Sequence, residues 1–361
     1  MGWEFQLPTK IIFGRGSLTR LGENVNAKKI LLVTGKGGFR EQVVKKIRKQ
    51  LGNIEITVYD RIEPNPTYQS IDEGAEIIEK NGCEMVIALG GGSTIDAGKL
   101  MASIAVNKVK AYDYVFEGKK IEKKGLPLIA IPTTAGTGSE VTPFAVISDK
   151  EKKLKAPVRN RQLFPKVAVV DPEFTASMPA ELTANTGADA LAHALEALWT
   201  KKAQPITDYL ALRAVKIIFE NLKKACEEPQ NMEAREELSL ASLLAGMAIS
   251  NTGTGPAHAI SYPFTTHFGV PHGNACSLTL PEVMEFNALR SEKINRITQL
   301  YGPERLRELF KEVRLKTRLG EVGVKKEDMP LILDGVVKST LEMNIAEMKR
   351  EDIVEILNKI L

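Results

Sequence analysis

Short apolar runs and amphipathic stretches alternate through the first half of the chain. Runs at 29–34, 54–59, 85–89, 126–131 and 167–170 are rich in β-branched residues and bounded by Gly, Pro or Asp, which predicts buried strands. Between them, 40–51 and 70–81 carry apolar positions at helical spacing. Strand and helix in alternation imply a parallel sheet covered on both faces. From about Pro179 the β-pattern stops. Residues 208–226, 232–249, 291–300, 304–319, 328–345 and 350–361 instead place apolar residues three and four apart. The pattern predicts an α/β domain over 1–178 and an all-helical domain over 179–361, with the break between Asp171-Pro172 and Pro179.

Ligands of parallel sheets bind at the carboxyl ends of the strands, so the loops there are where chemistry is expected. The most informative is Gly90-Gly91-Gly92-Ser93-Thr94-Ile95-Asp96, between a strand and a helix. Its glycines allow close approach of a phosphate, and the helix start offers free N–H groups and a positive dipole end. It is neither a Walker A loop nor the GxGxxG fingerprint, and such a turn can also be only a tight turn. Three further strand-end loops strengthen the nucleotide reading: Thr34-Gly35-Lys36-Gly37-Gly38, Glu63-Pro64-Asn65-Pro66-Thr67, and 132–140 with Thr133, Thr134 and Thr137. A fold selective for NAD places an acid near the ribose 2′-hydroxyl. Here Gly35 offers none, while Lys36 and Arg40 are placed to attract a 2′-phosphate, which favours NADP over NAD unless the two bases are ordinary surface charge.

One stretch, 238–281, contains no Asp, Glu, Lys or Arg and holds three of the four histidines. Asn251, Gly253, Gly255, Pro256 and Pro263 interrupt it too often for a membrane span. The fourth histidine, His193, stands four residues after Asp189 on a helical pattern, so the two share a face and can chelate one cation or simply hydrogen-bond. His258 precedes Tyr262 at the same spacing, before Pro263 is expected to break the segment. His272 lies in Pro271-His272-Gly273, which reads as a turn. Asp189, His193, His258 and His272 would together offer one carboxylate and three nitrogens, a set suited to Fe²⁺ or Zn²⁺ and not to Mg²⁺ or Ca²⁺.

Composition narrows the classes. The 49 basic and 45 acidic residues nearly cancel to a formal +4 without a basic tail, which argues against nucleic-acid binding. Three separated cysteines form neither a disulfide framework nor a CxxC clip, as expected in a reducing cytoplasm. The first residues do not read as a secretory signal. A soluble cytoplasmic protein is expected, with no membrane partner.

These motifs resemble the iron-containing (group III, metal-dependent) alcohol dehydrogenases, whose wider relatives include glycerol dehydrogenase and dehydroquinate synthase. The resemblance runs from Pro8-Thr-Lys-Ile-Ile-Phe-Gly14 through the Gly90 and Pro132 loops to Asp171, Pro179, Thr186, Asp189-Ala-Leu-Ala-His193, Glu196 and Pro271-His272-Gly273. It implies a dehydroquinate synthase-like fold, with a Rossmann-like parallel-sheet domain, a helical domain and the site in the cleft. Asp189, His193, His258 and His272 are the implied metal ligands. Gly91, Gly92, Ser93 and Asp96 fall at the pyrophosphate, Thr133, Thr134 and Thr137 around the cofactor, and Asn65 and Lys155 at further contacts. Gly35 occupies the position where NAD-preferring members carry Asp. Many members have a proton-relay histidine where this chain has Tyr262, so His267, nearby, is the candidate catalytic residue. The implied reaction moves hydride between NADP(H) and a small primary alcohol or aldehyde, a metal polarising the substrate oxygen. Polyol oxidation of the glycerol dehydrogenase kind is a rival reading. A lyase of the dehydroquinate synthase type is another, but it would need basic residues that the neutral stretch lacks. The resemblance leaves room for a homodimer.

Overall fold

The computed structural model describes residues 2–36 and 38–361; Met1, and Gly37 of the expected loop after the second strand, lie outside the described residues. The strands are β1 (Lys10–Phe13), β2 (Lys29–Thr34), β3 (Glu55–Tyr59), β4 (Met85–Gly90), β5 (Leu128–Pro132), β6 (Phe144–Asp149), β7 (Leu154–Arg159) and β8 (Val167–Val170). Six of them form one parallel sheet in the order β1-β8-β5-β4-β2-β3. The sheet is interleaved with α1 (Gly38–Leu51), α2 (Tyr68–Asn81), α3 (Gly92–Asn107) and the short α4 (Ala111–Val115). Leu31, Val33, Val86 and Ala88 face one core, and Ile30, Leu32, Met85 and Ile87 face a second. Burial on both faces explains why these strands read as continuous apolar runs.

The hairpin β6–β7 is antiparallel and separate from the sheet, and sequence periodicity gave no hint of it. At the sheet edge, Asp171 closes the first turn of the chain: its carboxylate accepts from the N–H groups of Gly16 and Leu18.

The second half is helical: α5 (Ala180–Leu198), α6 (Pro205–Glu227), α7 (Met232–Thr252), α8 (Pro256–Phe268), α9 (His272–Ala288), α10 (Glu292–Tyr301), α11 (Pro303–Glu312), α12 (Met329–Asp334), α13 (Lys338–Leu341) and α14 (Arg350–Lys359). From Gly187 to Leu198, α5 is buried on every side, against α6, α7 and α9. Among the described residues, no helix is long and apolar enough to cross a membrane.

The chain forms two compact units. One comprises Leu7–Thr134 and Gly138–Ser177; the other joins Met178–Leu361 to Ala135–Thr137 and the segment ending at Gln6. Asn251 holds Gln6 by both its backbone N–H and its C=O (2.8 and 3.3 Å). Gly136 belongs with the helices because it lies against Thr186 so closely that a Cβ would meet that side chain at 2.6 Å.

Three local expectations need correction. Pro263 does not break its segment; α8 runs through it. A proline cannot bond the carbonyl four residues back, and here that carbonyl, of Ala259, accepts from Val337 N–H instead (3.3 Å). The same contact ends the expected helix 328–345, which divides into α12 and α13 around Gly335–Val337; Gly335 sits where a Cβ would reach Pro263 at 3.0 Å. Finally, α11 stops at Glu312, not 319. Arg314 turns left-handed (φ 60) and Leu315 N–H returns to Phe310 C=O (2.9 Å), which closes the helix as a Schellman turn.

Candidate active site

Helix α5 carries Asp189, His193 and Glu196 at i, i+4 and i+7 along one stripe, all buried. His258 comes from the first turn of α8. His272 is the first residue of α9, so Pro271-His272-Gly273 is a helix start and not a free turn. Gly273 makes the meeting of α9 with α5 possible, since a Cβ there would stand 1.8 Å from the Asn185 carbonyl oxygen. The fold thus brings together residues spread over more than eighty positions.

Their donor atoms converge. Asp189 Oδ1 lies 3.8 Å from His193 Nε2, 3.5 Å from His258 Nε2 and 3.7 Å from His272 Nε2. The rings of His193 and His258 stack at 4.6 Å, and His272 meets His258 edge-on at 5.4 Å. Asp189 Oδ1 and His258 Nε2 are buried, with no directed hydrogen bond among the described residues. Buried polar atoms left without partners need a reason. A cation supplies it: a tetrahedral ion held at about 2.1 Å by oxygen and imidazole nitrogen has ligand–ligand edges of about 3.4 Å. The residues fit a metal ion.

The clustered groups shift one another. Burial opposes the Asp189 charge, but the three imidazoles hold the carboxyl well below the usual carboxylate range. Burial lowers the pKa of His193, which keeps its ring neutral and able to donate a lone pair. Glu196 Oε2 stands 2.5 Å from His258 Nδ1, and the same carboxylate accepts from the N–H groups of Gly255 (2.9 Å) and Ala257 (2.6 Å). Glu196 therefore caps α8 and holds the His258 proton on Nδ1, which leaves Nε2 as the ligand atom.

His267 is not brought to this cluster. It is exposed in the last turn of α8, nine residues from His258 and so about 180° around the helix. Tyr262 shares the His258 face.

In the sheet unit, Gly91 caps α3 without a side-chain bond, leaving the amides of Gly92 and Ser93 at a helix start that suits a pyrophosphate. A Cβ on Gly91 would touch Thr134 at 3.3 Å, and Thr133 N–H bonds Gly90 C=O across the strand ends. Asn65 takes a left-handed conformation (φ 56) and its N–H reaches Ser93 Oγ (3.3 Å). Lys155 lies on β7 opposite Ser148, and Thr137 falls in the short segment that joins the helical unit.

Asp96 is engaged internally. Its oxygens accept from Ser139 Oγ (2.5 Å) and Val146 N–H (2.9 Å), with the buried Lys99 ammonium 3.5 Å away. Lys99 also donates to Ser139, Thr142 and the Phe144 carbonyl, so the pair clamps 139–146 onto α3. Beside β2, Gly35, Lys36, Arg40, Lys45, Arg48 and Asp60 line a cavity of about 270 Å³. Arg40 holds the Lys36 carbonyl (2.7 Å), and its Nε is buried without a partner among the described residues.

The chain matches the family model described as iron-containing alcohol dehydrogenase over residues 8–172, and the model for the C-terminal part of that family over 183–361. The chain belongs to the iron-containing alcohol dehydrogenase family. It is 36% identical over 352 residues to the NAD-dependent methanol dehydrogenase of Bacillus methanolicus (91% of each chain). It is 36% identical over 346 residues to the NADPH-dependent butanol dehydrogenase of Clostridium saccharobutylicum (90% of this chain, 88% of the relative). Sulfoacetaldehyde reductase from Bifidobacterium kashiwanohense, solved with NAD⁺, superposes with a TM-score of 0.93 at 34% identity, covering 100% of this chain and 99% of that one. As an iron-containing alcohol dehydrogenase, the protein is a metal-dependent oxidoreductase that uses a nicotinamide cofactor.

Glu196 entered the sequence reading only as a position of the resemblance, without a role, although it is the third member of the α5 stripe. Cys276 escaped it, although it stands four residues after His272. The Lys99–Asp96 clamp and the buried Glu140 gave no signal, because their partners come from a segment forty or more residues away.

Proposed function

We propose that this enzyme interconverts a small primary alcohol and its aldehyde with NADP(H), and that Asp189, His193, His258 and His272 hold one Fe²⁺, with Zn²⁺ fitting the same donors. The convergence of three imidazole nitrogens to within 3.5–3.8 Å of one buried carboxylate oxygen carries the metal assignment. When bound, the metal acts as a Lewis acid toward the substrate oxygen. The nicotinamide supplies or accepts the hydride.

The chain's own residues position and select. Asp189 offsets part of the cation's charge, and Glu196 fixes which His258 nitrogen faces it. The first amides of α3 hold the pyrophosphate; Asp96 acts through the loop it clamps. Lys36 and Arg40 Nε beside Gly35, the latter without a partner among the described residues, favour a 2′-phosphate. Asp60 in the same cavity is the feature that would favour NAD. With His267 exposed across α8 from His258, we assign the reaction proton to solvent and not to that ring.

The test is metal content of anaerobically purified protein, paired with NADPH and NADH oxidation against butanal. About one iron per chain and an NADPH-selective rate removed by chelation support every part of the reading. Replacing His258 or His272 with Ala should remove metal and activity together. NADPH oxidation persisting without metal would overturn the ligand assignment, and equal or better rates with NADH would overturn the cofactor preference.

A further inference from the structure

Cys276 adds a thiol to the candidate metal site. It stands four residues after His272 on α9, on the same helix face, and is completely buried. Its Sγ is 3.9 Å from His272 Nε2. One donor atom each from Asp189, His258, His272 and Cys276 all lie within 4.8 Å of one another. Two of those donors, Asp189 Oδ1 and His258 Nε2, are buried with no directed hydrogen bond among the described residues. For sulfur at about 2.3 Å and nitrogen at about 2.1 Å from a tetrahedral ion, the S–N edge is about 3.6 Å, close to the separation seen.

We propose that the site offers two overlapping ligand sets, and that a divalent cation with more affinity for thiolate than Fe²⁺ has, such as Cd²⁺ or Co²⁺, takes Asp189, His258, His272 and the Cys276 thiolate, with His193 displaced. This rests on the reading of the pocket as the metal site and adds a ligand to it. Thiolate selects softer cations, whereas imidazole and carboxylate serve Fe²⁺. Binding forms a metal–sulfur bond and releases the Cys276 proton to solvent; nothing is oxidised or reduced. The enzyme's metal would then be decided by which cation is available, with His193 and Cys276 competing for the fourth position.

Cobalt reports the outcome directly, because a thiolate ligand adds a near-ultraviolet charge-transfer band that nitrogen and oxygen ligands do not. Metal-free full-length protein titrated anaerobically with Co²⁺ should show that band at one equivalent per chain. Cys276→Ser and Cys276→Ala should lose the band while keeping the visible absorption of bound cobalt, and His193→Ala should keep the band. Cys83 and Cys226 remain in every variant, so a band surviving in Cys276→Ser overturns the proposal. Cobalt bound to the wild type without any charge-transfer band overturns it too, while leaving the four-residue metal site intact. Failure of the wild type to bind cobalt at all overturns the metal-site reading itself.

Discussion

Glu196 and His258 meet at 2.5 Å between Oε2 and Nδ1, 62 residues apart in sequence and with both side chains buried. The carboxylate accepts three donors, one from the ring, one from the N-cap amide of Gly255 and one from Ala257 in the first turn of α8. One residue thus sets both the start of the helix that carries His258 and the ring nitrogen that faces Asp189.

Glu196→Gln should separate these duties. Its amide oxygen can still accept from His258 Nδ1 and the Gly255 N–H, but its NH₂ group must then face the Ala257 N–H. Metal affinity should fall about 10–100-fold, the usual loss for a group supporting a metal-bound histidine. Stability should fall by about 1–3 kcal/mol for the unpaired buried donor. Chelator competition and denaturant unfolding measure the two; unchanged metal affinity would limit Glu196 to helix capping.

Gly273→Ala should be destabilising although alanine is the better helix former by about 0.5–1 kcal/mol. The added Cβ would lie 1.8 Å from Asn185 O, so the start of α9 must move away from α5. Such overpacking costs about 1–3 kcal/mol or more. Because His272 is the adjacent residue, metal retention should fall in parallel. A thermal melt with and without added Fe²⁺ would show a smaller metal-dependent shift than in the wild type.

Gly35→Asp should reverse the proposed preference for NADP(H). A Cβ at this position stands 3.3 Å from the Arg40 guanidinium, so the new carboxylate pairs with Arg40 and withdraws it from a 2′-phosphate. Loss of a charged hydrogen bond worth about 1.5–3 kcal/mol should lower kcat/KM for NADPH roughly 10–100-fold. The value for NADH should be held or improved. Equal losses with both cofactors would mean that the residue supports only the local fold.

Glu140 should make stability pH-dependent with an unusual sign. Burial raises its pKa from 4.5 to about 7, against the pull of Lys99. The folded state therefore binds its proton more tightly than the unfolded state, and the stability it contributes improves as pH falls from about 7 toward 4.5. The stability of the wild type relative to Glu140→Gln should rise across that interval. A difference that is flat or of opposite slope would show that Glu140 keeps its charge when folded.

Much of this molecule was legible in the sequence because the signals are local. Strands buried on both faces must be apolar throughout, and helices with one wet face must repeat at three and four, so both domain types follow from periodicity. Asp189 and His193 could be paired because a helix places i and i+4 together. The Gly90 loop could be read because a phosphate at a helix start demands small residues. What the tertiary structure decided are the contacts between distant segments. Only it shows that α8 survives Pro263, because the donor that satisfies Ala259 comes from Val337. Only it brings Glu196 and Cys276 to the histidines, turns Asp96 inward toward Ser139 and Val146, and carries His267 away from His258. Spacing alone does not give them, since they depend on how one packed element meets another, and that meeting is fixed by close approaches such as Gly273 against Asn185.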